Sequence, residues 1–316
     1  MTSGQVRVAV IGVGDIGRGW ASMCVAAGWP VTMFDNSADA IAGAPAIVAG
    51  RARALAALER ADEDAVERGI AALTVGRSLL QACADAQWII ESIDDDLQAK
   101  QRLFEAFESV APKARAVTSS SSRLAAKDIA ARCRRPDRCL IAHPLNPPEL
   151  IPLVELVPGP QTDAALIEVI KGWLRALGRI PVTIKKQVPG YVAGRIVAAV
   201  WREAIDLVLK GVIDVDDLDR AVSVGPALVW AAGGPHLTHH LAAGERKVAQ
   251  FLQMLCHEHE AYWADLAGWA RLDPDDQHRL IRAIEAAYAG QTEQIRRARN
   301  KRVAAILRAV EEARTE

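Results

Sequence analysis

Residues 6–35 read VRVAVIGVGDIGRGWASMCVAAGWPVTMFD, and this stretch decides the fold. Residues 6–11 form a largely apolar run of the kind that occupies a strand buried on both faces. Residues 12–28 predict a turn that leads into a helix, and residues 31–35 predict a second strand. Strand, glycine-rich turn, helix and strand in this order predict a βαβ unit with parallel strands.

The same alternation continues through the first half of the chain. Further strand-like runs occupy residues 88–91, 116–119, 139–142 and 153–157, with helical stretches before or between most of them, including an alanine-rich one over 38–61. The pattern predicts an α/β fold whose N-terminal part is a Rossmann-type, doubly wound and mainly parallel sheet.

The pattern changes after residues 180–184, IPVTI. From residue 190 onwards helical periodicity dominates, as in 192–209, 248–257 and the arginine-rich 291–312, and no convincing strand follows. Glycine–proline clusters near 189–190 and 233–235 are typical of hinges and turns. We therefore expect two domains, the sheet in residues 1–186 and an all-helical domain in residues 187–316.

Composition excludes several classes of protein. Hydrophobic residues make up 51% of the chain and charged residues 24%, which is too apolar for a disordered protein. The formal net charge of -1 gives no reason to expect nucleic acid or an anionic membrane, so a small molecule is the expected partner. The N-terminus lacks the pattern of a signal peptide and no apolar stretch is long enough to span a bilayer, so a cytoplasmic location is expected.

The turn after the first strand carries a GxGxxG fingerprint, formed by Gly12, Val13, Gly14, Asp15, Ile16 and Gly17. The first glycine allows the tight turn, the second lets the backbone approach a pyrophosphate, and the third lets helix and strand pack closely. The N-terminus of the helix offers free N–H groups to the phosphates. The string alone is weak, but its place between a strand and a helix favours a dinucleotide site over a plain glycine turn.

Asp35 ends the second strand, where a carboxylate accepts hydrogen bonds from the adenosine ribose hydroxyls. The same charge repels a 2′-phosphate, and the next residues, Asn36 and Ser37, place no arginine beside it. The predicted cofactor is therefore NAD rather than NADP. The alternative is a surface aspartate without a ligand.

Three later segments carry groups suited to chemistry: a serine run at 119–122, IAHPLNPP at 141–148 and LVELV at 153–157. Oxidation of an alcohol by hydride transfer needs a base for the hydroxyl proton, and His143 suits this because histidine titrates near neutral pH. Glu155 lies in an otherwise apolar strand, where an unpaired carboxylate is costly, so His143 is its expected partner. A histidine at a strand end, a solvent-facing glutamate and an ordinary polar serine loop are the alternatives.

Taken together, these segments resemble the 3-hydroxyacyl-CoA dehydrogenase superfamily, and within it the short-substrate branch of L-gulonate 3-dehydrogenase (λ-crystallin) and L-carnitine dehydrogenase. The most specific match is CLIAHPLNPPELIPLVELVPGPQT at 139–162, and SSSSRL and PGYVAGRIVAAVWREAIDLVLKG extend it. Acyl-CoA enzymes of this superfamily usually have two aromatic residues where this chain has Pro144 and Leu145, which disfavours a CoA thioester as substrate.

The resemblance implies a role for each site residue. It makes His143 the general acid/base, Glu155 its orienting partner and Ser122 a hydrogen-bond donor near the substrate hydroxyl. It also implies that the helical domain forms a homodimer and closes the site. Four residues fall on cofactor-contacting positions: Asp35, Asp95, Lys100 and Asn146. At the position of Asp95 the family usually has glutamate.

Two departures from the family concern the substrate. Gly194 stands where the family has an asparagine that helps to hold substrate and histidine. Val229 stands where the gulonate and carnitine enzymes have an arginine, which pairs with a substrate carboxylate through a strong two-pronged contact. The substrate is therefore expected to differ from gulonate and carnitine.

No metal site is expected. His236, His239 and His240 lie close together in the sequence, but no set of carboxylates or thiolates accompanies them. The cysteines are scattered without a CxxC pair, which argues against both a disulfide framework and a thiolate zinc site: Cys24, Cys83, Cys133, Cys139 and Cys256.

The sequence thus favours NAD-linked oxidation of a small secondary alcohol, with His143 accepting the proton. A reductase of an imine or an unusual ketone on the same scaffold is one alternative. A protein that binds NAD but has little turnover is another.

Overall fold

A computed structural model describes residues 5–244 and 248–313 of the chain. Residues 1–4, which begin the segment interpreted above as lacking a signal peptide, lie outside the described residues. The chain divides into two compact units, of which the first ends at Val192 and the second begins at Ala193. This division falls six residues after the boundary expected from the change in sequence pattern.

The first unit is built on one eight-stranded sheet in the order β3-β2-β1-β4-β5-β6-β7-β8. All neighbouring strands are parallel except β6 and β7, which are antiparallel. The strands are β1 Val8–Ile11, β2 Val31–Phe34, β3 Leu73–Val75, β4 Trp88–Glu91, β5 Ala116–Ser119, β6 Cys139–Pro144, β7 Leu153–Pro158 and β8 Ile180–Thr183. The predicted Rossmann-type sheet is confirmed.

Helices connect the parallel strands. They are α1 Asp15–Ala26, α2 Ala38–Ala42, α3 Ala44–Ala57, α4 Glu63–Ala71, α5 Leu79–Cys83, α6 Leu97–Val110, α7 Ala126–Ile129 and α8 Ala164–Ala176, with 3₁₀ turns at Ala130–Arg132 and Pro136–Arg138. The single helix expected over 38–61 is two helices that meet at Gly43. A proline in the first turn of α3 explains the break, because proline fits that position but not the interior of a helix.

The core lies on both faces of the sheet, because the strands near its centre are buried on both sides. Side chains alternate along β1, so that Val10 packs with Trp20 and Trp88 in one cluster while Ile11 packs with Phe104 in the other. This two-sided burial is why the strands read as continuous apolar runs in the sequence.

Three tryptophans are in ring contact in and against the first of these clusters. The ring centroids of Trp20 and Trp88 are 5.6 Å apart at an interplanar angle of 75°, and those of Trp88 and Trp173 are 5.6 Å apart at 32°. The buried indole N–H of Trp88 donates to the Thr118 hydroxyl at 3.0 Å. A helix, two neighbouring strands and a second helix are thereby joined.

The second unit contains helices joined by turns and loops, and no strand among its described residues. Its helices are α9 Ala193–Leu209, α10 Val215–Val224, α11 Pro226–Ala243, α12 Val248–Asp265, α13 Pro274–Tyr288 and α14 Thr292–Glu312. Helix α9 packs on α10 and α13, and α11 packs on α10 and α12. Gly234, with φ +73°, interrupts α11 at the glycine–proline cluster predicted to form a turn. Within residues 5–244 and 248–313, no helix has the length and apolar character needed to cross a membrane.

Candidate active site

The candidate site lies where strand order reverses. Strand β1 pairs with β2 on one side and with β4 on the other, so the chain leaves the sheet in opposite directions from its central strands. In doubly wound sheets the ligand crevice lies at such a point, outside the carboxyl ends of the strands. Gly12, Asp35, Ser92 and Ser120 each follow directly after one of the four strands that meet there.

The three glycines of the fingerprint have different surroundings. Gly12 has φ +90°, and a side chain on it would lie 2.7 Å from the backbone of Ser92. A side chain on Gly17 would overlap the carbonyl oxygen of Gly12, where α1 crosses the strand end. Gly14, the N-cap of α1, has no heavy atom within 4 Å of the place that a methyl side chain would take, so its surroundings are open. Two glycines therefore serve the turn, and the third leaves space beside the free N–H groups of the helix.

Asp35 is held against this turn. Its Oδ2 accepts a hydrogen bond from the Val13 N–H at 2.9 Å, and its Oδ1 accepts one from the Ser37 N–H at 2.9 Å. Asp35 also lines a pocket with apolar and polar walls. Among the residues of that pocket are Gly12, Asn36, Leu79, Ile93, Ala99 and Arg102. The pocket is of the kind that holds an adenosine group, with an acid placed to accept from ribose hydroxyls.

Arg102 is a pocket residue that the sequence analysis missed. It is an exposed arginine on α6, and within the described part of the chain its guanidinium makes no ion pair. No sequence signal singles it out, because exposed arginines are common on amphipathic helices.

Asp15, the first residue of α1, carries a largely exposed carboxylate. Arg51 of α3 donates to its Oδ1 at 3.0 Å, and the same guanidinium lies 3.6 Å from Glu149. The arginine offsets an acidic charge at a helix N-terminus that would otherwise oppose a phosphate. Ile16, the next residue, is half-buried and packs against the core of the sheet.

His143 and Glu155 are direct partners in the antiparallel pairing of β6 and β7. Residues opposite each other in such a pair point to the same face of the sheet, so the register brings the two side chains together. The Nδ1 atom of His143 lies 3.0 Å from Oε2 of Glu155. The other carboxylate oxygen accepts a hydrogen bond from the Val192 N–H at 3.0 Å.

The exposure of the two partners differs. The glutamate side chain is 1% exposed, whereas the histidine side chain is 16% exposed. A carboxylate only accepts hydrogen bonds, so Nδ1 of His143 carries the proton and Nε2 presents a lone pair. The pair can therefore act as a general base whose resulting positive charge is stabilised by the buried carboxylate.

Tyr191 packs on the His143–Glu155 pair, and it is a second site residue that sequence reasoning did not identify. Its ring centroid lies 5.3 Å from that of His143 at an interplanar angle of 63°, and its hydroxyl donates towards the carbonyl oxygens of Ser121 and Leu124. Burial raises the pKa of Tyr191 well above its ordinary value, and the nearby carboxylates of Asp95 and Glu155 add to the effect. The phenol is therefore a hydrogen-bond donor at any physiological pH.

The serine side chains of the loop after β5 have different hydrogen-bond partners. The Ser120 hydroxyl accepts from the indole N–H of Trp20 at 3.0 Å and lies 2.9 Å from the Ser92 hydroxyl. The Ser121 hydroxyl accepts from the Leu124 N–H at 2.9 Å and shapes the loop. Ser122 is exposed, and its hydroxyl makes no hydrogen bond with any other described residue. The structure thus orders the loop around Ser122 without linking that side chain directly to His143.

Lys100 and Asp95 belong to a second charged group near the end of β4. The Lys100 ammonium is fully buried, contacts the buried carboxylate of Glu91, and donates to the Ile93 carbonyl at 2.9 Å. It also lies 3.6 Å from Asp95, which in turn lies 3.5 Å from Arg123. Burial raises the pKa of Glu91, against the opposing effect of the lysine. Sequence reasoning identified the lysine and the aspartate but not Glu91.

Asn146 is exposed on the loop between β6 and β7, and no described residue bonds to its side chain. The buried guanidinium of Arg179 braces this loop by donating to the carbonyl oxygens of Pro148, at 3.3 Å, and Glu149, at 3.1 Å. Arg179 therefore supports the loop that carries Asn146 and that follows the strand bearing His143.

Gly194 and Val229, the two positions where the sequence motifs suggest a departure from the family, lie in the second unit. No heavy atom lies within 4 Å of the position that a Gly194 side chain would take, and Val229 is 50% exposed. A larger side chain therefore fits at both positions. Across the described ranges no three His, Cys, Asp or Glu side chains are grouped as a metal would require.

The residues around the strand ends fit a dinucleotide. The open space at Gly14, the N–H groups that begin α1, the acid at Asp35 and the adjacent pocket supply the contacts that pyrophosphate, ribose and adenine need. The histidine–glutamate pair lies at the same sheet and supplies a base. Fold and site together define an NAD-dependent dehydrogenase that acts on a CH–OH group.

The chain belongs to the 3-hydroxyacyl-CoA dehydrogenase family. The model of the family's NAD binding domain matches residues 7–188, and that of its C-terminal domain matches residues 190–272. The resemblance inferred from the sequence motifs is confirmed.

Several characterised proteins are similar to this chain. L-carnitine dehydrogenase of Streptomyces griseus subsp. griseus is 34% identical over 285 residues, which cover 90% of this chain and 81% of that protein. L-carnitine dehydrogenase of Burkholderia mallei is 36% identical over 82% of this chain and 79% of its own length. A crystal structure of 5-formyl-3-hydroxy-2-methylpyridine 4-carboxylic acid 5-dehydrogenase, an NAD+ dependent dismutase, has a TM-score of 0.81 at 26% identity, covering 98% of this chain and 99% of that one.

Proposed function

We propose that His143 is the general base of this NAD-dependent dehydrogenase, that Glu155 orients it, and that Ser122 donates a hydrogen bond to the substrate oxygen. The observation that carries the proposal is the 3.0 Å contact between the histidine and the buried glutamate. NAD, when bound, supplies the acceptor for the hydride that leaves the substrate carbon.

The proton follows a separate route from the hydride. As the C–H bond breaks, the lone pair on Nε2 of His143 takes the hydroxyl proton, and the carbon–oxygen bond becomes a carbonyl. Glu155 stabilises the imidazolium that results and fixes the ring orientation. In the reverse direction the same nitrogen returns the proton. Ser122, exposed at the tip of its loop, is free to donate to the substrate oxygen.

The cofactor contacts follow from the strand ends. We assign Gly12, Gly14, Asp15, Ile16 and Gly17 to the pyrophosphate turn and Asp35 to the adenosine ribose. Asp95, Lys100 and Asn146 are assigned as further cofactor contacts from the family resemblance. The geometry supports an indirect role for Lys100, whose buried ammonium is 3.6 Å from Asp95 and holds its loop in place.

The proposed substrate is a small hydroxy compound other than carnitine. The L-carnitine dehydrogenases named above are similar to this chain, but Gly194 and Val229 stand where the resemblance of the sequence motifs implies asparagine and arginine. A site without the arginine lacks a strong partner for a carboxylate at that position. A substrate that is uncharged there fits best.

A second candidate is dismutation of an aldehyde, in which one molecule is oxidised while another is reduced and the cofactor is recycled. The near-complete structural likeness to an NAD+ dependent dismutase favours this candidate. Its signature is formation of equal amounts of acid and alcohol from an aldehyde with only catalytic NAD. A requirement for stoichiometric NAD rejects it.

The deciding experiment is an assay of NAD reduction and NADH oxidation with a panel of 3-hydroxy acids, polyols, neutral hydroxy compounds, ketones, cyclic imines, aldehydes and one acyl-CoA. NADP(H) serves as the cofactor control. Turnover of an uncharged hydroxy compound supports the proposal. Turnover of imines alone favours a reductase, and silence across the panel with NADH binding retained indicates a binding protein instead.

We further propose that the second unit forms a homodimer. Helix α12 contains no buried residue among those whose side chains are described, and it exposes Tyr262 and Trp263. Trp201 on α9 is likewise 60% exposed. Apolar surface of this extent is typical of a protein interface. Sedimentation at twice the chain mass is expected, and a monomer at micromolar concentration contradicts the proposal.

The free cysteines are in keeping with a cytoplasmic location, which we also propose.

A further inference from the structure

Tyr191 occupies a strained turn that touches each part of the catalytic site. It follows Gly190, and both residues have a positive φ, +75° for the glycine and +47° for the tyrosine. A tyrosine rarely adopts this left-handed conformation, because its Cβ is crowded by the backbone. Such strain persists only where surrounding contacts enforce it, and it is commonest at functional sites.

The contacts of this turn identify what enforces it. The Tyr191 side chain is 1% exposed, and its ring meets the edge of the His143 imidazole at a centroid distance of 5.3 Å. Its hydroxyl lies 3.1 Å from the Ser121 carbonyl oxygen and 3.3 Å from that of Leu124. Those two residues flank Ser122, so the phenol is fastened to the backbone of the serine loop.

The same turn also reaches Glu155. Left-handed geometry at Tyr191 directs the next N–H group, that of Val192, to Oε1 of Glu155 at 3.0 Å. The carboxylate then has its other oxygen on His143. One residue thereby joins the ring of the base, the carboxylate that orients it and the loop that carries the proposed hydrogen-bond donor.

We propose that Tyr191 is a positioning residue that holds His143, Glu155 and the Ser122 loop in one fixed arrangement through its hydroxyl. The proposal rests on the function proposed above, since it concerns the geometry of that site. Without the hydroxyl the turn loses the contact that balances its strain, and the Val192 N–H is free to move from Glu155. The imidazole then becomes less firmly oriented while the cofactor turn, on other strands, is unaffected.

The test replaces the hydroxyl alone. Tyr191→Phe keeps the ring against His143 and removes the bond to the serine loop. The matched control is Tyr288→Phe, which removes a tyrosine hydroxyl that lies 2.6 Å from Asp219 in the second unit. NADH binding is measured by fluorescence, and unfolding is followed by circular dichroism.

The first readout needs no substrate. In protein labelled with ¹⁵N-histidine, the Nδ1–H signal of His143, assigned by its absence in His143→Ala, reports its hydrogen bond to Glu155. We expect this signal to shift or broaden in Tyr191→Phe and to be unchanged in Tyr288→Phe. The second readout is kinetic: kcat is expected to fall roughly tenfold in Tyr191→Phe, as for a small misplacement of a catalytic group, with NADH affinity unchanged.

An unchanged signal in Tyr191→Phe overturns the proposal, and so does an unchanged kcat. Loss of NADH binding together with kcat also overturns it, because that result indicates a general structural role. If the wild type turns over no substrate, the proposed function fails, and the Nδ1–H signal alone decides whether Tyr191 positions His143. A variant that does not fold is replaced by Tyr191→Leu, which also lacks the hydroxyl and adds no labelled histidine; the same signal shift is expected.

Discussion

Glu155 and Glu91 are both buried carboxylates in one sheet, yet their partners differ. Glu155 holds an imidazole whose side chain is 16% exposed, and a backbone N–H. Glu91 holds the ammonium of Lys100, which is 1% exposed, and likewise accepts a backbone N–H, that of Ile93 at 2.7 Å. A proton can reach the first pair from a substrate, whereas the second pair is sealed. Burial of a carboxylate therefore does not by itself mark a candidate site; the exposure of its partner is the further criterion.

The largest fall in kcat is expected from replacing His143, the exposed partner of Glu155. His143→Ala removes the base, so kcat should fall by about 10³-fold, within the range for general acid–base catalysis. NADH binding should stay close to that of the wild type, because the cofactor turn lies on other strands, whereas the melting temperature should fall, because Glu155 is left buried without its histidine partner. Steady-state kinetics on the substrate found by the panel measure the loss. Turnover at the wild-type rate contradicts the assignment of the base.

Lys100, the buried partner of Glu91, should instead contribute to the stability of the fold. Lys100→Met leaves Glu91 buried without its counter-charge, so the free energy of unfolding should fall by about 3–5 kcal/mol. Urea unfolding of this variant gives the value. Lys113→Met is the control, since Lys113 is exposed beside Asp85 and should change stability by less than about 1 kcal/mol. Equal changes in the two variants would show that the Glu91 pair is not structural.

Replacing each of the two glutamates should distinguish a role in catalysis from a role in stability. In Glu155→Gln the Val192 N–H retains the amide oxygen, so the amide NH₂ faces Nδ1 and forces the proton onto Nε2. The histidine then cannot accept a proton there, and kcat should fall by roughly 10²-fold. Glu91→Gln should leave kcat nearly unchanged in the protein that remains folded. A loss of kcat in both variants removes the distinction between the pairs.

Asp35 extends the comparison to a half-buried carboxylate that accepts only backbone N–H groups. Asp35→Ser removes the charge that repels a 2′-phosphate, while Arg102 remains in the same pocket. The ratio of kcat/KM for NADP to that for NAD should rise roughly tenfold. Asp39→Ser, at an exposed acid on α2, is the matched control and should leave the ratio unchanged. The effect of Asp35→Ser is expected to be the smallest of the four, and it tests only the choice between NAD and NADP.

Much of the fold was predictable because its signals are local. Glycine spacing and apolar runs placed β1, the glycine turn, α1 and β2 correctly, since each depends on neighbours along the chain. Strand β3 was missed, because it is an edge strand of three residues, too short for an apolar run to stand out. The split between α2 and α3 required weight on Gly43 and the following proline, which the alanine-rich composition concealed.

The site was predictable only in its most distinctive residues. His143 and Glu155 stand out as polar residues in apolar strands, and their contact follows from the register of one antiparallel strand pair. Tyr191, Glu91 and Arg102 gave no such signal. Their surroundings depend on a left-handed turn, on a lysine nine residues further along the chain and on a pocket wall from α6, none of which a linear pattern specifies.

The contacting indoles of the first unit offer an intrinsic fluorescence signal for cofactor binding. Trp20 donates to Ser120, close to where the nicotinamide is expected, and it is in ring contact with Trp88. Indole emission overlaps the absorption of NADH, so energy transfer from these rings should report reduced cofactor without any label. Trp201 and Trp263, both more than half exposed, emit in a polar environment and should shift to shorter wavelength when chains associate. One spectrum can thus follow cofactor binding and assembly as separate signals.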